Sequence, residues 1–412
     1  MRIAIILLIS TLLATACAGS QPFGTNTPLS TALPPQEIIA TASPDAASPL
    51  MDTFQQVLHR VSAIRVLEPL NPIPPKFMTR LELEAVLNDD LEESKEDIVK
   101  SQKLLKLLGL IPQDADLHAM LLSLYTEQVV GFYDTETEEL YVITGKAEMT
   151  PLDEVTLAHE YVHALQQQHF DIGAMSKAVE NDSEAYSALS ALIEGDAVIV
   201  QSEYALTYLT LSQRQAMLIE ASNSPVFDAS PYFLQRTLQF PYNEGANMVN
   251  YLLVAGGWEA IEDAYRNPPT STEHVLHPQK YLAGEAPINV SLPETTSNLG
   301  TSWQVAYDDV LGEFFLRTYL ETHVRASEAS RAAAGWGGDR FNLLEGPQGE
   351  LCLVVLLVWD SERDAQEFFN LLDIANLVPE PGFLFIKGNE VVWILSESKS
   401  ATDAIKSVFP YF

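Results

Sequence analysis

The sequence predicts an α+β protein: a mainly helical domain over residues 51–298, with a short β-hairpin just ahead of a histidine-bearing helix, and a small C-terminal α+β domain over residues 299–412. Three observations carry this expectation. Apolar residues recur at spacings of three and four over most of the chain between residues 51 and 200, the mark of amphipathic helices. Around residues 129–144 the pattern changes to two short β-rich runs about a polar turn. Beyond residue 298, runs such as LCLVVLLVW alternate with helical segments. With 412 residues, 47% of them apolar, the chain is long enough for two cores.

The first 18 residues read as an export signal. Arg2 precedes an apolar run from Ile3 to Leu13, and small residues follow at Ala14, Thr15, Ala16 and Cys17. The run is too short for a lasting membrane span. Cleavage before Cys17 would leave an N-terminal cysteine for lipidation, so the expectation is an exported protein attached to the membrane of the cell envelope through Cys17. Ala14 stands where such signals usually carry Leu, and cleavage after Ala16 or Ala18 would release the chain instead. Residues 19–50, rich in Pro, Ser, Thr and Ala, read as a tether.

The globular text opens with a helix whose stripe is Phe54, Val57, Leu58, Val61 and Ile64, broken by Pro72, Pro74 and Pro75. Helical segments are expected around 80–108 and 114–126. Val129–Tyr133 and Leu140–Thr144 then form the hairpin. Thr150-Pro151-Leu152-Asp153 is a helix start, with Thr as N-cap and Pro at the first helical position. The stripe Val155, Ala158, Val162, Leu165 follows, and a stop is expected near Asp171-Ile172-Gly173. An Ala- and Ser-rich helix runs from Ser183 past Val200, its small residues suited to close packing. In the C-terminal part a helix is expected near 304–325. Strands are expected at Phe341–Leu344, Leu351–Trp359, Phe383–Lys387 and Val391–Ser396, helices at Ser361–Ile374 and Ala401–Val408, and a turn at Gly388-Asn389.

Charge and cysteine content narrow the function. The formal net charge is −33, from 23 basic and 56 acidic residues, a balance that repels phosphate backbones and argues against nucleic-acid binding. The two cysteines, Cys17 and Cys352, cannot form an intrachain disulfide once Cys17 is lipidated or removed, and Cys352 in its apolar run reads as a buried small hydrophobe.

The chemistry concentrates in LAHEYVHALQQQHF, residues 157–170. His159 and His163 lie one turn apart on a helix face and can reach one Zn²⁺, while Glu160 between them is placed to act as general base on a water. His169 is six residues beyond His163, but Gln166 supplies no break to swing it back, and a continuous helix turns it about 240° away. A carboxylate on the next helix is the better third ligand. Glu194 interrupts an apolar Ala/Leu/Ile face where an unpaired carboxylate is costly to bury, and Gly195 beside it would let the histidine helix come close. Glu184 is the alternative. Asp196 is a candidate acceptor for a ligand histidine N–H. Downstream, His274, His277 and Tyr281 cluster in PPTSTEHVLHPQKYL, with His277 the preferred stabiliser of an oxyanion. His59, His118 and His323 lie on amphipathic segments without such company.

HEYVHALQQQHF followed by ALIEGDA resembles the gluzincin metallopeptidases, of which thermolysin is the familiar member. The chain also resembles a group of uncharacterised bacterial exported proteins that share GFYD…LYV, GGW, the PPxSTExxLHPxKY segment and GWGGDR. The resemblance implies a zincin-like catalytic domain, zinc ligands His159, His163 and Glu194, Glu160 as base, and a peptide or protein substrate. It also implies that the strand Leu140–Thr144 forms the cleft's edge and pairs with an extended substrate. One departure stands out: thermolysin-like proteins carry Asp four residues after the glutamate, and here that residue is Val198. The function expected is zinc-dependent peptide-bond hydrolysis at the cell envelope. The rivals are a zinc hydrolase of non-peptide substrates and a non-catalytic envelope binding protein with a structural metal.

Overall fold

A computed structural model describes residues 47–143, 149–300 and 302–409. The expected signal, Cys17 and almost all of the expected tether lie outside the described residues. The N-terminal region is mainly helical: α1 (Ala47–Arg65), α2 (Arg80–Glu93), α3 (Lys95–Leu107), α4 (Leu117–Gln128), α5 (Pro151–Phe170), α6 (Ile172–Ala178), α7 (Ser183–Tyr208), α8 (Leu211–Ala221), α9 (Pro225–Ala229), α10 (Tyr232–Arg266), α11 (Thr272–Leu276) and α12 (Pro278–Ala283). Three strands, β1 (Pro75–Met78), β2 (Gly131–Asp134) and β3 (Glu139–Ile143), form a small sheet of order β1-β3-β2. The C-terminal region comprises β4 (Gln304–Asp309), α13 (Gly312–Glu321), α14 (Ala326–Ala333), β5 (Trp336–Glu345), β6 (Leu351–Trp359), α15 (Glu362–Ile374), β7 (Phe383–Lys387), β8 (Glu390–Ser396) and α16 (Lys399–Lys406). Its five strands are antiparallel in the order β4-β5-β6-β8-β7.

Two expectations are corrected. The strand expected to edge a cleft, now β3, is internal: it pairs antiparallel with β2 and parallel with β1. Both of its backbone edges are taken, so β3 has none to offer an extended peptide. The proline cluster hid β1, because Pro75 lacks a donor yet is tolerated on an outer strand. The helix expected from residue 304 begins instead as β4, whose QVAYDD run is short, with half of its residues exposed. Asp339 explains where the helix then starts. It accepts the Leu311 and Gly312 N–H groups at 2.9 Å each and the Trp336 indole N–H at 2.8 Å, capping α13 from β5.

The core joins the two regions. One cluster runs from Leu83, Leu121 and Leu124 through Leu316 and Leu320 to Trp336, Val355 and Trp393. A second packs α1 against α5, with Phe54, Val61, Val155 and Leu165. A third packs α7 on α10, with Leu192, Phe240 and Met248. The α7–α10 contact is the closest of these. A Cβ built on Gly195 would lie 2.3 Å from the Gly245 backbone, and one on Gly245 would lie 2.1 Å from the Ala191 carbonyl oxygen. Gly195 thus serves approach by α10, not by the histidine helix α5. Because the obstacle is backbone, the helices themselves would have to separate.

Gly245→Ala is therefore expected to destabilise the metal-free protein by about 1–3 kcal/mol, the usual cost of overpacking a tight core. Urea unfolding monitored by circular dichroism measures it, and a midpoint equal to wild type would show that the contact is slack.

Candidate metal centre

Helix α5 delivers the two histidines. Its first turn is fixed by a reciprocal cap: Thr150 Oγ1 accepts the Asp153 N–H at 3.2 Å, and Asp153 Oδ2 accepts the Thr150 N–H at 2.8 Å. Val155, Ala158, Val162 and Leu165 are all buried, as their spacing predicts. The helix stops at Asp171, whose left-handed backbone (φ 56°, ψ 58°) turns the chain, and whose carboxylate then caps α6. Glu194 comes from α7, which packs along α5. All four groups are interior: His159 is 0% exposed, Glu160 1%, His163 1% and Glu194 3%.

His159, His163 and Glu194 converge. One ligand atom from each lies within 4.8 Å of the other two. His159 Nε2 is 3.2 Å from Glu194 Oε2, and His163 Nε2 is 3.7 Å from the same oxygen. Ligands about 2.1 Å from a tetrahedral ion lie about 3.4 Å from each other, so this spacing fits a metal. His163 Nε2 is buried without a hydrogen-bond partner, and the Glu160 oxygens are buried with no partner nearer than the Tyr133 backbone; a metal and its associated water would meet both needs. His-His-Glu is an N/O donor set that could hold a divalent ion.

Two glutamines aim the imidazoles. Gln201 Oε1 is 3.0 Å from His159 Nδ1, and Gln166 Oε1 is 2.6 Å from His163 Nδ1. Gln166 Nε2 donates to the Ile193 carbonyl at 3.0 Å and to Asp196 Oδ2 at 3.1 Å, which fixes its amide so that the oxygen faces His163. His163 then carries its proton on Nδ1 and presents the Nε2 lone pair to the triad, and Gln201 stands in the same position behind His159. Asp196 is anchored in turn by Arg65 Nε at 2.8 and 3.1 Å and by the Tyr265 hydroxyl at 3.0 Å. The Arg65 guanidinium is fully buried, 4.4 Å from the centroid of the Trp258 ring, a cation–π contact. Tyr242 of α10 stacks on His159, with ring centroids 6.2 Å apart.

Burial sets the charge states. It pushes both imidazoles down to about 4, against the Gln201 amide at His159 and the Glu194 carboxylate at His163. The histidines are therefore neutral and free to ligate at pH 7. Burial pushes Glu194 up to about 7, with His163 working the other way. It also holds Glu160 well above the usual carboxylate range, with the Glu194 charge adding to the rise.

The other expected residues take different places. Glu184, the alternative ligand, is turned away: it accepts the Thr272 N–H at 2.8 Å and the Thr272 hydroxyl at 3.0 Å. Asp196 does not touch a ligand histidine but acts one step back, through Gln166. His169 bonds the Glu68 carbonyl oxygen at 2.8 Å. His274 Nε2 meets the Glu285 carbonyl oxygen at 2.6 Å, and Tyr281 donates to the Asn267 carbonyl at 2.8 Å. His277 Nε2 pairs with Glu313 at 2.9 Å and is not part of the triad's hydrogen bonds. Val198 is a buried core residue, and the partner of His159 on α7 is Gln201, three residues further on. A second acidic group, Glu273, Glu285 and Asp360, already encloses a cation: Lys280 Nζ lies 2.7, 2.7 and 2.5 Å from the three carboxylates.

Residues 302–376 match the model of a family described as a domain of unknown function, DUF8575. No curated protein and no solved structure matches the chain.

Two measurements test this site. Gln166→Ala removes the acceptor behind His163 and is expected to weaken metal affinity about 10–100-fold; competition with a chromophoric chelator reads it, and unchanged affinity would remove Gln166 from the centre. The pH dependence follows from Glu194. Its pKa in the metal-free fold lies above the unfolded value, so its contribution to stability is complete below about 4.5 and is lost as pH rises through about 7. A bound metal cancels that loss. The rise in melting temperature with zinc over EDTA should therefore grow from pH 5 to pH 8, and a shift equal at both would contradict the assignment.

Proposed function

We propose that the chain is a zinc-dependent hydrolase of peptide bonds, of gluzincin type, with His159, His163 and Glu194 holding the ion and Glu160 as general base. Export and attachment through Cys17 belong to the same proposal, and a peptide or protein of the cell envelope is its substrate. Among the described residues no helix is long and apolar enough to cross a membrane.

The observation that carries the reading is Glu160. A fully buried carboxyl with no side-chain partner, met only by the Tyr133 backbone, costs several kcal/mol of solvation, and nothing in the packing of α5 calls for it. It stands beside the triad, where burial and the Glu194 charge raise its proton affinity; a cation at the triad would draw it back to the ionised form that a general base needs. Bound at the triad, Zn²⁺ would supply Lewis acidity toward the scissile carbonyl and lower the pKa of water toward about 7. Gln166 and Gln201 keep both Nε2 lone pairs directed inward while the proton moves. His277 has no part in the proposal, because its Nε2 is engaged by Glu313.

The burial of the triad favours a second reading, a structural metal in a non-catalytic binding protein. One set of variants separates the two. Glu160→Gln should retain stoichiometric zinc and lose peptide hydrolysis by at least about a thousandfold, and Glu194→Ala should lose zinc. Zinc retained with no hydrolysis of a broad peptide library by wild type would favour the structural metal. Full zinc occupancy in Glu194→Ala would contradict the ligand set.

A further inference from the structure

A partly open apolar pocket lies apart from the triad, none of whose residues line it. It has a volume of about 200 Å³ and is lined by residues of α3, α4, α7, α10, α11, β4, α13 and β5. Leu104, Leu121, Leu234, Phe314, Phe315 and Phe341 form most of its wall. For scale, a dry apolar cavity of about 150 Å³ takes up benzene.

Six of the polar side chains at its margin are already engaged, and the hydroxyls of Ser101 and Tyr125 complete the polar part of the lining. Ser187 donates to the Ser183 carbonyl at 2.7 Å, Ser183 to Asp309 at 2.7 Å, and Thr237 to the Phe233 carbonyl at 2.9 Å. Glu184 is held by Thr272, and Tyr307 donates to Asp309 at 3.0 Å. The lining includes no lysine, arginine or histidine. An anionic head group would therefore meet no cation there, only Glu184. A water would find few free partners. What the space suits is a neutral apolar molecule.

Its position is also informative. Ser187 precedes Glu194 by seven residues on α7, so at 1.5 Å per residue the space lies about 10 Å along that helix from the triad's carboxylate. Its walls come from the helical region and from the C-terminal region alike.

We propose that this cavity is a binding site for a neutral apolar ligand, an unbranched aliphatic chain or a compact aromatic ring, separate from the metal centre. The chain can come from a free lipid-like molecule or be carried on an acylated peptide.

The neutral dye N-phenyl-1-naphthylamine is the probe, used with the full-length chain carrying Cys17→Ser so that no lipid is attached. Wild-type cavity residues should give saturable fluorescence enhancement. Ser187→Leu and, separately, Leu238→Phe fill the space and should weaken dye binding at least tenfold with zinc content unchanged, which reports an intact fold. Dodecanol should displace the dye at least tenfold more effectively than dodecanoate. Displacement by dodecanol but not by an N-dodecanoyl peptide assigns a free ligand, and displacement by both assigns a chain carried on a peptide. Dye binding that survives both filled variants, or dodecanoate competing as well as dodecanol, would overturn the proposal.

Discussion

Two carboxyl groups, Glu160 and Glu194, are sealed inside the protein within electrostatic reach of each other, and among the described residues no lysine or arginine pairs with either. Their mutual repulsion and lost hydration are the constraint that the surrounding structure answers. The fold keeps both pKa values high and brings two neutral imidazoles against Glu194. An arrangement so costly to the empty protein is what a divalent cation would relieve.

The scaffold around this centre is built to resist relaxation. Gly195 immediately follows Glu194 and locks α7 onto α10 through a backbone contact no side chain could share. The fully buried guanidinium of Arg65 forms no ion pair with the carboxylates of the site. It holds Asp196, which holds Gln166, which holds His163. A cation placed directly on Glu194 would compete with a metal; placed three links back, it stiffens the ligand without neutralising the site. α1 is thereby tied to the chemistry although it contributes no ligand.

Much of this was legible in the sequence, for identifiable reasons. α5 carries a cap, a proline at its first position, a 3-4-3 stripe and a stop, and each acts locally, so its limits were readable. Leu351–Trp359 and Phe383–Lys387 were readable as strands because they are short apolar runs bounded by Gly, Pro and other turn residues, too short for a buried helix. Glu194 stood out as one carboxylate on an apolar face. Strand pairing was not legible: that β3 lies between β1 and β2 depends on a parallel partner some 65 residues upstream, written in a proline-rich stretch. β4 was hidden because an exposed outer strand needs no apolar alternation. The glutamines were hidden because an amide behind a ligand histidine has no compositional mark. Gln201 is seven residues from Glu194 and hence on the same face of α7, and Gln166 is three from His163; those spacings were the available signals. Arg65 gave none, since its partner is 131 positions away.

The central claim is that His159, His163 and Glu194 form one metal site. X-ray absorption at the zinc K-edge of the purified, zinc-loaded protein tests it most directly. The account predicts two imidazole nitrogens and a carboxylate oxygen at about 2.0–2.2 Å, with no sulfur in the shell. A shell of solvent oxygens alone, a single imidazole, or a sulfur scatterer would contradict it.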